Sequence, residues 1–275
     1  MKWSKLIHMP LLAATLALGL AQCASAGIIY VTDSLGNVWQ YNGVTHMSTQ
    51  TQTSNTGILV RDQLVAGNGY RNDQDATADL STGKVYRINN GGNIIEYPNV
   101  AAYLTNTLST VVATGIYTGD KAINGASYDG ATGGFYTVYA AGTPNQGDIA
   151  TYSSLAVFLT GIPDIVSTAA YNGNVLNFYD PDTTPGTTVP AGGSVPINAQ
   201  YYQVPSGGGL EGFATLASYI ATANNRANMG PSNAFGGTTP TYQARAAFAV
   251  PFVPEPAGLL LCMSALVGVL AVRRR

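Results

Sequence analysis

Between Gly27 and Phe252 apolar and polar residues alternate in short stretches rich in Tyr, Val, Ile and Thr, punctuated by Gly, Asn and Asp. A period of two sends successive side chains to opposite faces of a strand, and Gly, Asn and Asp supply the turns between strands, so the body is predicted to be all-β. The pattern also repeats. Asp79-Leu-Ser-Thr-Gly83-Lys-Val-Tyr86 matches Asp129-Gly-Ala-Thr-Gly133-Gly-Phe-Tyr136, in the form Asp-x-x-Thr-Gly-x-apolar-Tyr, at an offset of 50 residues. Gly92 to Thr105 then matches Gly147 to Thr160 at an offset of 55, the extra five residues falling in the turn from Ala140 to Gln146. Partial copies are read at Ile28–Tyr41, at Ala170–Phe178 and at Glu211–Asn225. Starts near 28, 76, 126, 167 and 211 give a mean period in the forties.

Each part of the repeat has a physical reason. Asp79 and Asp129 are placed to accept backbone N–H groups two residues on, Gly83 and Gly133 supply a left-handed corner, and the apolar-Tyr pairs ending at Tyr86 and Tyr136 start a strand. A unit of this size cannot bury both of its faces alone, and closing the units into a ring removes exposed edges. The pattern resembles β-propeller blades, with about five fitting the length; a β-sandwich is the alternative. Leu210 to Met229 reads both ways, with helical spacing from Leu210 to Ile220 and a repeat that favours a strand at Tyr219–Ala223. Thr45–Thr56, Asp180–Pro196 and Asn228–Thr241 read as long loops, and Gln243–Phe252 as the last strand, closing the ring.

Both ends of the chain are apolar in a different way. Lys2 and Lys5 precede an apolar run from Leu11 to Ala21 and the small-residue end Ala24-Ser25-Ala26, the order of a secretory signal peptide, with Ala24 and Ala26 fitting the signal peptidase cleft and the mature chain starting near Gly27. Cys23 suggests a lipoprotein, but Gln22 stands where a small residue is needed. At the other end Val253-Pro254-Glu255-Pro256 precedes the apolar stretch Ala257–Val272 and then Arg273, Arg274 and Arg275. Sixteen apolar residues make a helix of roughly 24 Å, slightly short of the ~30 Å hydrocarbon core, so flanking residues snorkel or the bilayer thins. The three arginines orient such a span with its C-terminus in the cytoplasm and the body outside.

A Val-Pro-Glu-Pro motif, one apolar helix and a terminal arginine cluster, in that order behind a signal peptide, resemble the PEP-CTERM sorting signal of Gram-negative, often biofilm-forming bacteria. The resemblance covers residues 253–275 only. It implies recognition of Pro254, Glu255 and Pro256 by exosortase, a membrane cysteine protease of transpeptidase type, followed by cleavage near that motif. It also implies a protein anchored in the inner membrane before processing and found at the cell surface or in the medium afterwards. The two prolines keep the motif extended and out of helix and central strand, which suits capture by a protease.

Composition then narrows the body's chemistry. Residues 27–252 carry seven Lys and Arg against thirteen Asp and Glu, a net charge of −6, which leaves no electrostatic footprint for nucleic acid or anionic lipid. About 226 residues suffice for one sizeable domain. Both cysteines, Cys23 and Cys262, lie in the two signals, so the body offers no disulfide, thiol nucleophile or cysteine-based metal site. His46 is its one histidine, in a polar run that reads as a solvated loop. Asp73 with Asp75, and Asp180 with Asp182, place paired carboxylates in loops that could begin a calcium site, but the continuation of a calcium loop is missing. No cofactor motif, metal site or catalytic constellation is assigned. The expected function is a non-enzymatic surface or matrix protein linked to exopolysaccharide or biofilm. A glycan-processing enzyme using two distant carboxylates and a calcium-stabilised adhesin are the alternatives.

Overall fold

The computed structural model describes residues 27–48, 56–62, 70, 74–169, 176–180, 200–204, 210–221, 227–228 and 244–251. All lie in one compact unit, Ala26–Pro251. The expected signal peptide at residues 1–26, the Pro254-Glu255-Pro256 motif, the apolar stretch and Arg273–Arg275 fall outside the described residues. Among those residues no helix is long and apolar enough to cross a membrane.

Sixteen strands form four antiparallel four-stranded sheets, arranged like the blades of a four-bladed propeller. The second blade holds β4 (Asp75–Asp79), β5 (Lys84–Ile88), β6 (Ile94–Tyr97) and β7 (Thr110–Ala113). The third holds β8 (Ile123–Asp129), β9 (Gly134–Tyr139), β10 (Ile149–Tyr152) and β11 (Ile165–Ser167). In the fourth are β12 (Leu176–Tyr179), β13 (Tyr201–Val204), β14 (Glu211–Phe213) and β15 (Ala227–Asn228). The first blade joins the two ends of the body. Its strands β1 (Ile28–Asp33), β2 (Val38–Asn42) and β3 (Ile58–Arg61) are completed by β16 (Ala244–Val250), which pairs with β1 from Ile28↔Val250 to Asp33↔Ala244. The sequence-predicted last strand thus closes the ring.

The inner strands β16, β4, β8 and β12 neighbour one another in that cyclic order around the axis. Small side chains allow this approach: Ala76 and Ala78 on β4, Ala126 on β8, and Ala246, Ala247 and Ala249 on β16 are all buried. Four hydrophobic clusters fill the gaps between successive sheets, blade one with two, two with three, three with four and four with one. Strands flanked on both faces are buried on both, as in β9, where all six residues are buried.

Four blades replace the five expected, and four separate sheets replace the sandwich. The copy starting at Ile28 lacks its inner strand because β16 supplies it. The copies read at Ala170–Phe178 and Glu211–Asn225 are two fragments of one blade: Leu176–Tyr179 is its inner strand and Glu211–Phe213 its third. The long segment between Asp180 and Gln200 separates them in sequence and makes one unit look like two.

Short helices follow the third strand of each blade: α1 (Gly43–Met47), α2 (Val100–Thr105), α3 (Leu155–Thr160) and α4 (Leu216–Ile220). Asn99, Ser154 and Thr215 cap the last three by accepting the N–H groups of Ala102, Val157 and Ser218. Residues 216–220 are therefore helix where the repeat favoured a strand from Tyr219, because Thr215 and Ser218 form a reciprocal capping box. His46 likewise lies in α1 and not in a solvated loop.

Candidate functional site

A propeller-like ring offers two mouths, at the C-terminal and N-terminal ends of its inner strands. At the first, β4 and β8 run into the Asp-x-x-Thr-Gly turns. Asp79 Oδ1 accepts the Ser81 N–H at 2.8 Å and the Ser81 hydroxyl at 2.6 Å, while Oδ2 accepts the Thr82 hydroxyl at 2.9 Å. Asp129 repeats this with the Ala131 N–H at 3.1 Å and the Thr132 hydroxyl at 2.6 Å. The turns close with Gly83 and Gly133 at φ of +73° and +76°, a conformation that a side chain would strain.

The third turn is bound to the next blade. Tyr201, from β13, donates its hydroxyl to Asp129 Oδ1 at 2.5 Å, and burial followed by this bond pushes the phenol pKa well above its ordinary value. The ring of Tyr179 lies over Gly130, where a Cβ would come within 2.2 Å of it. Tyr128 sits at the equivalent place one blade earlier, its phenol pushed up by burial and then by the Asp79 carboxylate. Tyr86 and Tyr136, the tyrosines that end the sequence repeat, are fully buried in β5 and β9. The Tyr86 hydroxyl donates to Glu96, which also takes an ion pair from Lys84 at 2.8 Å.

A depression of about 160 Å³, counting space open to solvent, marks this mouth. Thr77, Ser127, Tyr128, Tyr179 and Phe248 contribute to its wall. Leu80 also lines it, and packs against three of the four inter-blade clusters.

Buried polar groups gather towards the opposite mouth. Gln74 donates to the Tyr117 carbonyl at 3.0 Å, and Asp75, fully buried, accepts the N–H of Ala76 at 2.7 Å and that of Ala126 in the next blade. Asp75 is therefore a strand residue joining blades two and three, not the start of a cation loop; Asp73 and Asp182 fall outside the described residues. Asp180 follows β12 and is buried. Asp33 accepts the Leu35 and Asn37 N–H groups, the Asn37 amide and the Trp39 indole, all between 2.9 and 3.0 Å. The buried guanidinium groups of Arg61 and Arg87 stand 4.2 and 4.7 Å from the centre of the Tyr70 ring.

The fourth blade differs from the others at one row. Asn177, Gln203 and Glu211 face one another across β12, β13 and β14 and are buried, with Gln203 donating to Glu211 at 2.5 Å. The matching row in blade three is Ala126, Thr137 and Ala150. Sequence reading missed this row and Tyr201. The signal was Asp180-Pro-Asp-Thr183, a third Asp-x-x-Thr that would have aligned β12 with β4 and β8.

His46 Nδ1 accepts the Asn42 N–H at 3.1 Å, which puts its proton on Nε2, where it donates to the Thr56 carbonyl at 2.9 Å. Among the described residues no group of three or more His, Cys, Asp or Glu could hold a metal ion. No family model, curated protein or solved structure matches the chain.

Proposed function

We propose that this chain is an exported protein, held in the inner membrane by its C-terminal segment and released by exosortase, whose propeller-like body serves as a binding or structural module of the cell surface or extracellular matrix. The observation that carries the reading is the ordered set Pro254-Glu255-Pro256, Ala257–Val272 and Arg273–Arg275, behind an N-terminal segment ending in Ala24-Ser25-Ala26. The membrane span presents the proline-flanked glutamate at the outer surface, and the arginines hold the span in that orientation.

The chemistry of the body supports a non-catalytic role. Asp33, Asp75, Asp79 and Asp129 all serve turns or blade-to-blade contacts. A ring whose polar side chains bond mainly to their own frame is suited to stay folded outside the cell and to present its surface.

Sorting is tested by fractionating cells that produce the wild type, Glu255→Ala or a chain lacking Arg273–Arg275, with and without exosortase. The wild type should appear in the surface or medium fraction with its C-terminus removed. Both variants, and the wild type without exosortase, should keep the tail and stay in the membrane. Normal release of Glu255→Ala, or an intact tail on released wild type, overturns the assignment.

A further inference from the structure

Every large apolar side chain left exposed among the described residues lies on the outer rim of the ring. Ile58 (53% exposed) and Leu59 belong to β3, Val111 (56%) to β7, and Ile165 (61%) and Val166 to β11. The turns leading into β7 and β11 add Leu108 and Ile162. Each of these strands is the end member of its sheet, so among the described residues one side of its backbone has no strand beside it. Natural edges of this kind are normally blunted by lysine, proline or an inward charge. The strands Thr-Val-Val-Ala of β7 and Ile-Val-Ser of β11 carry none of these.

We propose that the rim is an assembly surface at which copies of this chain pair edge to edge, continuing the sheet of one ring into the sheet of the next. An open ladder of N–H and C=O groups selects a β-strand as its partner, and β7 and β11 are themselves short, rich in β-branched residues and uncharged. The body carries a net charge of −6, so two copies repel each other least where they meet through uncharged segments. The same charge disfavours anionic lipid and anionic polysaccharide, and aliphatic side chains lack the aromatic faces that stack on sugars. Two blades present such an edge, β7 and β11, so a copy paired at one leaves the other open, and the contact can propagate into an array. This goes beyond the sorting reading and is tested without it.

The absence of cysteine from the body makes the contact directly measurable. In purified full-length protein carrying Cys23→Ser and Cys262→Ser, a single thiol is placed on the rim by Thr110→Cys or on the exposed β4–β5 turn by Thr82→Cys. Mild oxidation should cross-link the rim variant about tenfold more than the turn variant, with a yield that rises with protein concentration. Adding Val111→Lys should return the rim variant to the turn level with an unchanged melting temperature. Val166→Cys with and without Ile165→Lys repeats the comparison on another blade, should the first lysine disturb folding. Equal cross-linking of rim and turn, or cross-linking indifferent to the lysines, overturns the proposal. So does a rim thiol shielded by anionic vesicles or by polysaccharide but not by raising the protein concentration.

Discussion

Asp129 and Tyr201 show how single side chains hold neighbouring blades together. The carboxylate is already oriented by Ala131 and Thr132, so the Tyr201 hydroxyl meets a fixed acceptor. Removing that hydroxyl with Tyr201→Phe should cost about 1.5–3 kcal/mol, the range for a hydrogen bond to a charged group. Burial pushes the phenols of Tyr70, Tyr86, Tyr117 and Tyr201 upward, with further contributions from neighbouring tyrosines or carboxylates. The folded protein therefore keeps these protons while the unfolded chain loses them above about pH 10. Their contribution is fully present below that pH and falls above it by about 1.4 kcal/mol per pH unit for each tyrosine. Urea melts at pH 8 and pH 11 should show a steep loss of stability, shallower in Tyr201→Phe. Tyrosinate absorbance should rise together with unfolding, and ionisation of all seventeen tyrosines in a still-folded protein would contradict this.

At the scale of elements, the strand-turn-helix corner recurs more faithfully than the hairpins do. Tyr97 and Tyr103, Tyr152 and Phe158, and Phe213 and Tyr219 each form a near-perpendicular ring pair, with centroids 5.4, 5.5 and 5.2 Å apart. A capped helix turn lies between the rings of each pair, and the second ring plugs the cluster shared with the preceding blade. Phe158→Ala should cost about 3–5 kcal/mol, and Ser154→Ala, which removes only the cap, about 1 kcal/mol. A similar loss from both in denaturant melts would mean that the cap, not the plug, carries the corner.

The strands and turns of this unit were legible because Asp79, Thr82 and Gly83 perform local chemistry that needs those residue types at that spacing. The helix at Leu216–Ile220 was legible only as one of two readings. Its apolar spacing covers too few turns to outweigh the repeat, and its Thr215–Ser218 box is two hydroxyl residues among many. The row Asn177–Gln203–Glu211 was legible only in part, since Asp180-Pro-Asp-Thr183 places Asn177 on an inner strand but register across three strands unites it with residues far apart in the chain.

For the whole molecule, closure rests on β16, the one strand that reaches its sheet from the far end of the body. The other blades are built from consecutive strands, so the β1–β16 ladder carries the loop-closure entropy of nearly the entire domain. Ile28 and Val250 are partners at one end of that ladder. In a background carrying Cys23→Ser and Cys262→Ser, Ile28→Cys with Val250→Cys places a disulfide across the seam and removes the open-chain freedom of the unfolded state. The chain-entropy account gives about 5 kcal/mol for a loop of this length. At about 2–4 °C per kcal/mol for a domain of this size, the oxidised form should melt about 10–20 °C above its reduced form. Both forms should show one cooperative transition, because a ring shares each core between two blades and no blade can leave alone. Equal melting of the oxidised and reduced forms would mean that β1 and β16 do not form the seam, and two separate transitions would mean that the blades do not stand as one ring.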